Sequence, residues 1–96
     1  MKVFFTKNAD KNFQNIQKHL VENWGPTSKE KFIHKTRHSL ELLKLHPELG
    51  TKEVESKNIY GLLIHKHIRM FYKLYKDRIS VLALFDVRQH PGRRPK

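Results

Sequence analysis

"IRMFYKLYKDRISVLALFDVRQHP", residues 68–91, contains two apolar and aromatic runs separated by the polar residues 76–78. Two runs of this kind around a short turn predict a β-hairpin. Because side chains alternate along a strand, Ile68, Met70, Tyr72 and Leu74 share one face, and Arg69, Phe71, Lys73 and Tyr75 share the other. The first face can pack beneath helices. The second combines cations, which attract phosphates, with flat rings, which stack on bases.

The segments before this hairpin predict a strand and two helices. Residues 2–5, KVFF, are typical of a strand. Apolar residues at spacings of three or four predict one helix over residues 7–23 and a second that ends at His46. Thr27 and Glu30 have the spacing of a capping box, which predicts that the second helix begins there. Trp24 closes the apolar stripe of the first helix and is predicted to be a core residue or a hydrophobic staple.

These elements predict an α+β fold of order β-α-α-β-β-β. Residues 47–58 are predicted as a turn and a polar loop, and residues 59–64 as the strand before the hairpin. The expected architecture is a helical hairpin packed on one face of a small, mostly antiparallel four-stranded sheet. One domain is expected over residues 1–96, with residues 88–96 as a basic C-terminal tail.

Positive charge dominates the composition. The 96 residues include 20 Lys and Arg against nine Asp and Glu, which gives a formal net charge of +11. Such a charge attracts polyanions, so nucleic acid, ribosomes or an acidic protein are the expected partners. The tail adds Arg88, Arg93, Arg94 and Lys96 without an acid, which is typical of a binding segment.

Other classes of protein are disfavoured by the composition. The absence of cysteine excludes a disulfide framework and agrees with a cytoplasmic location. The N-terminal residues hold too few apolar side chains for a signal peptide or a membrane span. His34 and His38 have a chelating spacing, but no carboxylate or thiolate completes a set, so neither a metal nor another cofactor is expected.

The combined pattern resembles the RelE/ParE superfamily of toxins from bacterial type II toxin–antitoxin modules. The resemblance covers essentially the whole chain and rests on the element order, on GPTSKEKFIHKTRHSLELLKLHPELG, and on the final hairpin with its Asp-x-Arg-Gln-x-Pro ending. It implies a toxin that a cognate acidic, partly disordered antitoxin wraps and inhibits. An oligomer with that antitoxin is expected. RelE-like members cleave messenger RNA in the ribosomal decoding site, whereas ParE-like members inhibit DNA gyrase.

The RelE-like pattern assigns candidate catalytic residues. RNA cleavage needs a base for the 2′-hydroxyl, cations for the charged phosphate and an acid for the leaving oxygen. The pattern has an Arg three residues before a Tyr on the penultimate strand, which Arg69 and Tyr72 match, and a second Arg after the last strand, which Arg88 matches. His65 and His90 are candidate proton carriers, because histidine titrates near neutrality.

Two features depart from that pattern. The RelE-like pattern has lysines on the preceding strand, where this chain has Tyr60 and Leu62. It also has a Tyr near the C-terminus, whereas no Tyr follows Tyr75 here.

Candidate nucleic-acid contacts complete the site: Lys66, Lys73, Phe71, Tyr75, Arg93 and Arg94. Phe71 and Tyr75 fit two interpretations equally, base-stacking rings or core residues beneath the tail.

Three hypotheses for function remain at this point. The first is a toxin that cleaves ribosome-bound messenger RNA. The second is a non-catalytic inhibitor of DNA gyrase whose helical hairpin or basic tail engages the target. The third is a basic nucleic-acid-binding module that keeps the fold without toxicity.

Overall fold

The computed structural model describes residues 1–88. Its elements are β1 (Lys2–Phe5), α1 (Lys7–Trp24), α2 (Pro26–Leu45), β2 (Thr51–Val54), a 3-10 turn (Glu55–Lys57), β3 (Ile59–His65), β4 (Ile68–Leu74) and β5 (Arg78–Asp86). The predicted α+β class and helical hairpin are confirmed. Within the described residues the sheet has five strands instead of the predicted four.

The sheet brings the first strand beside the last. Its strand order is β1-β5-β4-β3-β2. β1 runs parallel to β5, with Val3 opposite Ile79 and Phe5 opposite Val81, and the other pairs are antiparallel. The α1–α2 hairpin is the connection that carries the chain across from β1 to the far side of the sheet.

β2 is the strand that the sequence pattern did not predict. Thr51–Val54 pairs with β3 at the edge of the sheet, with a bulge between Lys52 and Val54, so the prediction of a loop over residues 47–58 is wrong for this stretch. Most of β2 is exposed. Backbone hydrogen bonds to β3 stabilise it, and an exposed edge strand needs no alternation of apolar and polar side chains.

The two helices are joined with almost no linker. The Thr6 hydroxyl caps α1 by accepting from the Ala9 amide at 3.1 Å. α2 begins at Pro26, with Gly25 at φ 88° as its cap. The predicted capping box is therefore wrong, because Thr27 already lies within the first turn of the helix. Proline is preorganised for the first helical position, and glycine tolerates the positive φ that separates two adjacent helices.

The core confirms the predicted alternation of β4. Ile68, Met70 and Tyr72 are fully buried beneath the helices, where they contact a cluster that includes Leu20 and Phe32. The intervening side chains of β4 point to the opposite surface of the sheet and are partly exposed. We call this surface, which carries Arg69, Phe71 and Lys73 of β4 and their cross-strand neighbours, the open face.

Tyr72 connects the core to the turn that precedes β2. Its hydroxyl donates to the Pro47 carbonyl and accepts from the Gly50 amide, each at 2.9 Å. Its ring stacks on Tyr60 with centroids 5.3 Å apart. Burial raises the pKa of the Tyr72 hydroxyl, so this hydroxyl stays protonated at neutral pH. Its two hydrogen bonds serve the fold.

We predict that Tyr72→Phe destabilises the protein. The substitution removes the hydroxyl and leaves a part-buried amide and carbonyl without their partner, a loss that typically costs about 1–3 kcal/mol. Urea unfolding would measure this cost. Tyr75→Phe is the control, because the structure shows no hydrogen bond for the Tyr75 hydroxyl within residues 1–88. Equal stability of the two variants would contradict the prediction.

Candidate functional site

Cations and aromatic rings contact each other along the open face. The Arg69 guanidinium lies 5.8 Å from the centroid of the Phe71 ring, and the Lys73 ammonium lies 5.2 Å from that of Tyr75. Arg78 covers the Tyr75 ring at 4.1 Å. Phe71 and Tyr75 are half-buried. These attractive contacts hold each cation beside a flat ring, as the alternation predicted.

Arg69 also forms an ion pair with β2. Its Nη2 donates to Glu53 Oε1 at 2.7 Å, and the two side chains are 34% and 37% exposed. The pair passes directly over Gly61 of β3: a Cβ there would lie 2.5 Å from the Glu53 oxygen and 2.7 Å from the Arg69 nitrogen. Gly61 thus leaves the space that the ion pair occupies.

This ion pair is open to competition. Pairs at this degree of exposure contribute about 0–1 kcal/mol to stability, so a phosphate that approaches the open face can displace the Glu53 carboxylate at little cost.

Sequence reasoning missed Glu53 and Gly61. Glu53 lay in a segment predicted as a loop, and nothing in the pattern of β3 indicated that Gly61 lies beneath a salt bridge.

Arg88 lies on the other side of the sheet. It follows β5, and its guanidinium packs 5.5 Å from the ring centroid of Trp24 at the end of α1. Asp86 holds it there: the carboxylate accepts from the Arg88 backbone amide at 2.9 Å, from Nε at 3.4 Å and from Nη2 at 3.3 Å. Asp86 lies opposite the fully buried Ile68 in the β4–β5 pairing, so its side chain points to the side of the sheet that the helices cover. The structure therefore does not bring Arg88 and Arg69 together.

Trp24 is not a core residue. It is 61% exposed, so the prediction that Trp24 is a core residue is wrong. Residues 21–24, the last turn of α1, are all exposed, which means that the helix extends beyond the core against which its earlier turns pack.

His65 and Lys66 join Arg88 at this end of the molecule. His65 ends β3, and Lys66 follows in the turn with φ 34°. Burial, and then the positive charges of Lys35, Lys66, Arg88 and Lys31, lower the pKa of His65 below 6.5. The lowered pKa favours the neutral form of the His65 imidazole. We call the side chains gathered here the Trp24 cluster: Trp24, Lys31, Lys35, His65, Lys66 and Arg88.

The remaining sequence predictions fall outside this geometry. His90, Arg93 and Arg94 lie beyond residue 88 and therefore outside the described residues. In the part of the chain that the structure describes, no group of three or more His, Cys, Asp and Glu side chains could hold a metal ion. No helix among residues 1–88 is long and apolar enough to cross a membrane.

We predict that alanine is tolerated at Gly61 and not at Gly50. At Gly61 the new methyl group would meet the ends of two flexible side chains, so displacing the ion pair should cost less than about 1 kcal/mol. At Gly50 it would meet the Gly61 carbonyl oxygen at 2.7 Å, and overpacking against backbone typically costs about 1–3 kcal/mol. Urea unfolding of Gly61→Ala and Gly50→Ala measures both costs. An equal loss of stability in the two variants would refute the prediction.

We predict that His65 makes stability depend on pH. Because its pKa is lowered in the folded state, the unfolded chain binds the proton first as the pH falls. The free energy of unfolding should therefore decrease below about pH 6.5 and level off once the folded state is also protonated. Urea unfolding between about pH 7 and pH 5 should show a smaller decrease for His65→Gln than for the wild type.

An exposed histidine of α2 provides the control for this experiment. His38→Gln makes the same substitution at an exposed position, and this variant should keep the wild-type pH dependence. An unchanged dependence in His65→Gln would show that His65 is not the group responsible.

The fold agrees with solved toxin structures. The chain is similar to the chromosomal ParDE TA system from P. aeruginosa (17% identity, 90% of this chain and 95% of that chain, TM-score 0.73). It is also similar to the YoeB/ParE toxin from Agrobacterium tumefaciens (13% identity, 88% of this chain and 95% of that chain, TM-score 0.62). A third similar structure is the YoeB dimer from Staphylococcus aureus (17% identity, 86% of this chain and 92% of that chain, TM-score 0.62). At these identities the likeness shows the fold alone.

Sequence comparison supplies the family. The comparison with curated proteins found no match. Residues 3–91 match the family model described as the ParE toxin of type II toxin-antitoxin system, parDE. That match covers nearly the whole chain and agrees with the predicted resemblance. The chain belongs to the ParE toxin family of type II toxin–antitoxin systems.

Proposed function

We propose that this toxin arrests growth as a ParE-like, non-catalytic inhibitor of DNA gyrase. The observation that carries the proposal is the separation of the two candidate catalytic arginines. Arg69 lies on the open face with Glu53, whereas Arg88 packs against Trp24 on the helix side. Membership of the family implies an antitoxin partner, and an acidic antitoxin suits a chain of net charge +11.

Cleavage of RNA would need groups that converge on one phosphate. A base, an acid and a stabilising cation must each reach the reacting atoms at hydrogen-bond distance. His65 lies opposite the fully buried Ile68 in the β3–β4 pairing, on the side away from Arg69. The Tyr72 hydroxyl is used by the Pro47–Gly50 turn. Tyr60 and Leu62 stand where the RelE-like pattern has lysines. This arrangement favours binding over catalysis.

Messenger RNA cleavage is the second candidate function. What favours it is Arg69 itself, three residues before Tyr72 on β4, about a third exposed and next to the ring of Phe71. A guanidinium in this position suits a phosphate, and the exposed Glu53 pair does not hold it strongly. In this alternative Arg69 stabilises the transition state on the open face, and His90 is the candidate proton carrier.

Two assays with the purified toxin distinguish these functions. If the toxin is a gyrase inhibitor, it should block supercoiling at concentrations near that of the enzyme and leave message intact on translating ribosomes. Mapping the ends of messenger RNA from those ribosomes detects cleavage. Cut message together with full supercoiling would overturn the proposal in favour of the ribonuclease.

Arg69→Ala tests the open face in the same assays. Loss of a charge-assisted contact costs about 1.5–3 kcal/mol, so the toxin concentration for half-inhibition should rise about tenfold or more. The circular dichroism spectrum should be unchanged, because the exposed pair with Glu53 contributes little to stability. Arg37→Ala, an equal change of charge at an exposed position of α2, is the control. Equal effects of the two variants would mean that the open face is not the contact surface.

A further inference from the structure

We propose that the Trp24 cluster is a second binding site, which takes single-stranded nucleic acid. An unpaired base would stack on the Trp24 indole, and the neighbouring phosphates would contact Arg88, Lys66 and the two lysines of α2. This site is distinct from the open face, because Trp24 and Arg88 meet on the helix side of the sheet. It goes beyond the proposed function, since it depends on neither gyrase nor the ribosome.

The first observation is the position of Trp24. A tryptophan that is 61% exposed forgoes most of the free energy that burial of its large apolar surface would release. No fold constraint requires it: the preceding core residue of α1, Leu20, is buried, and the last turn projects into solvent. The ring is nevertheless held in place, because the Arg88 guanidinium packs on it and Asp86 fixes that guanidinium.

This support leaves ring surface available for a ligand. The guanidinium lies over the indole at 5.5 Å, and the high exposure of Trp24 means that other ring surface is open to water. A base that stacks there would complete a guanidinium–indole–base stack. Such a contact is worth about 1–3 kcal/mol per base in proteins that bind single strands. Paired bases inside a duplex cannot reach a ring in this way, which favours a single strand.

The second observation is the positive charge near Arg88, the cation that packs on the ring. Lys31 and Lys35 are exposed and one turn apart on α2, and Lys66 is exposed in the β3–β4 turn. The hydrogen bond from the Val87 amide to the His67 carbonyl, at 3.0 Å, places Arg88 beside the turn that holds Lys66. The positive charges of Lys31, Lys35, Lys66 and Arg88 also all lower the pKa of His65, so cations from separate elements lie around this end of the sheet. The acid that pairs with this cluster within residues 1–88 is Asp86, whose side chain is 1% exposed and is occupied by Arg88. A chain of phosphates would relieve the mutual repulsion of these cations.

An acidic protein segment is the competing occupant, because its carboxylates could meet the cations, but it would need a separate apolar or aromatic side chain to cover the indole. Carboxylate side chains have no flat ring, whereas every nucleotide pairs a phosphate with a base. The combination of an exposed, supported indole with converging cations therefore favours nucleic acid over an acidic peptide.

The only tryptophan of the chain reports directly on this site. Titration of the purified toxin with a mixed-sequence single-stranded oligonucleotide should quench the fluorescence of Trp24 and saturate. Equal quenching by an oligonucleotide of abasic sites, which carries phosphates without bases, would overturn the stacking contact. Equal quenching by polyglutamate would overturn the assignment in favour of an acidic protein partner.

Variants then separate this site from general attraction to a basic protein. With a fluorescently labelled oligonucleotide, anisotropy should show binding weakened about fivefold or more for Trp24→Ala. The double variant Lys31→Ala/Lys35→Ala should lower the slope of log affinity against log salt by about 1.4, since each phosphate contact with a single strand contributes about 0.7. Because all three side chains are exposed, circular dichroism should confirm that both variants fold.

A second pair of lysines provides a matched control. Lys7 and Lys11 are also exposed and one turn apart, on α1, so Lys7→Ala/Lys11→Ala removes the same charge with the same helical spacing. It should leave the affinity nearly unchanged. If it weakens binding as much as Lys31→Ala/Lys35→Ala, the attraction is diffuse and the proposed site is wrong. The assay contains neither gyrase nor ribosomes, so its outcome is independent of the proposed function.

Discussion

The alternation of side chains along β4 is the constraint on which the rest of the structure depends. β4 is the central strand of the sheet, between β5 and β3, and it supplies Ile68, Met70 and Tyr72 to the core. A shift of one residue in its pairing would turn these side chains outward and bury Arg69 and Lys73. Burial of a charge costs on the order of several kcal/mol, so the register is strongly specified.

The same register separates the cations of this toxin into two surfaces. Arg69 belongs to the open face, where Glu53 reaches it across Gly61. Directly after β5, the Val87 amide donates to the His67 carbonyl at 3.0 Å. This hydrogen bond places the next residue, Arg88, beside the β3–β4 turn. A chain that matches an RNA-cleaving pattern at two arginines therefore places them on two different sides of the sheet.

Local pattern was sufficient for most of the fold. The hairpin of β4 and β5, the two helices and the α+β class follow from periods of two and 3.6 residues, which depend only on neighbouring side chains. β2 could not be found in this way, because backbone pairing to β3 stabilises an exposed edge strand whatever its side-chain pattern. The start of α2 was misplaced because Pro26 and Gly25 together permit a helix to begin directly after another helix.

The candidate site shows more clearly what the sequence could predict and what it could not. The sequence by itself determined that Arg69, Phe71 and Lys73 share one face of a strand, that the chain carries a large positive charge, and that it resembles the family to which it belongs. Only the tertiary structure decided that Glu53 neutralises Arg69, that Arg88 packs on Trp24, and that Trp24 stands outside the core. The reason is physical: alternation is set within a few residues, whereas each of these contacts joins segments far apart in the chain and exists only once the sheet and helices have been packed together.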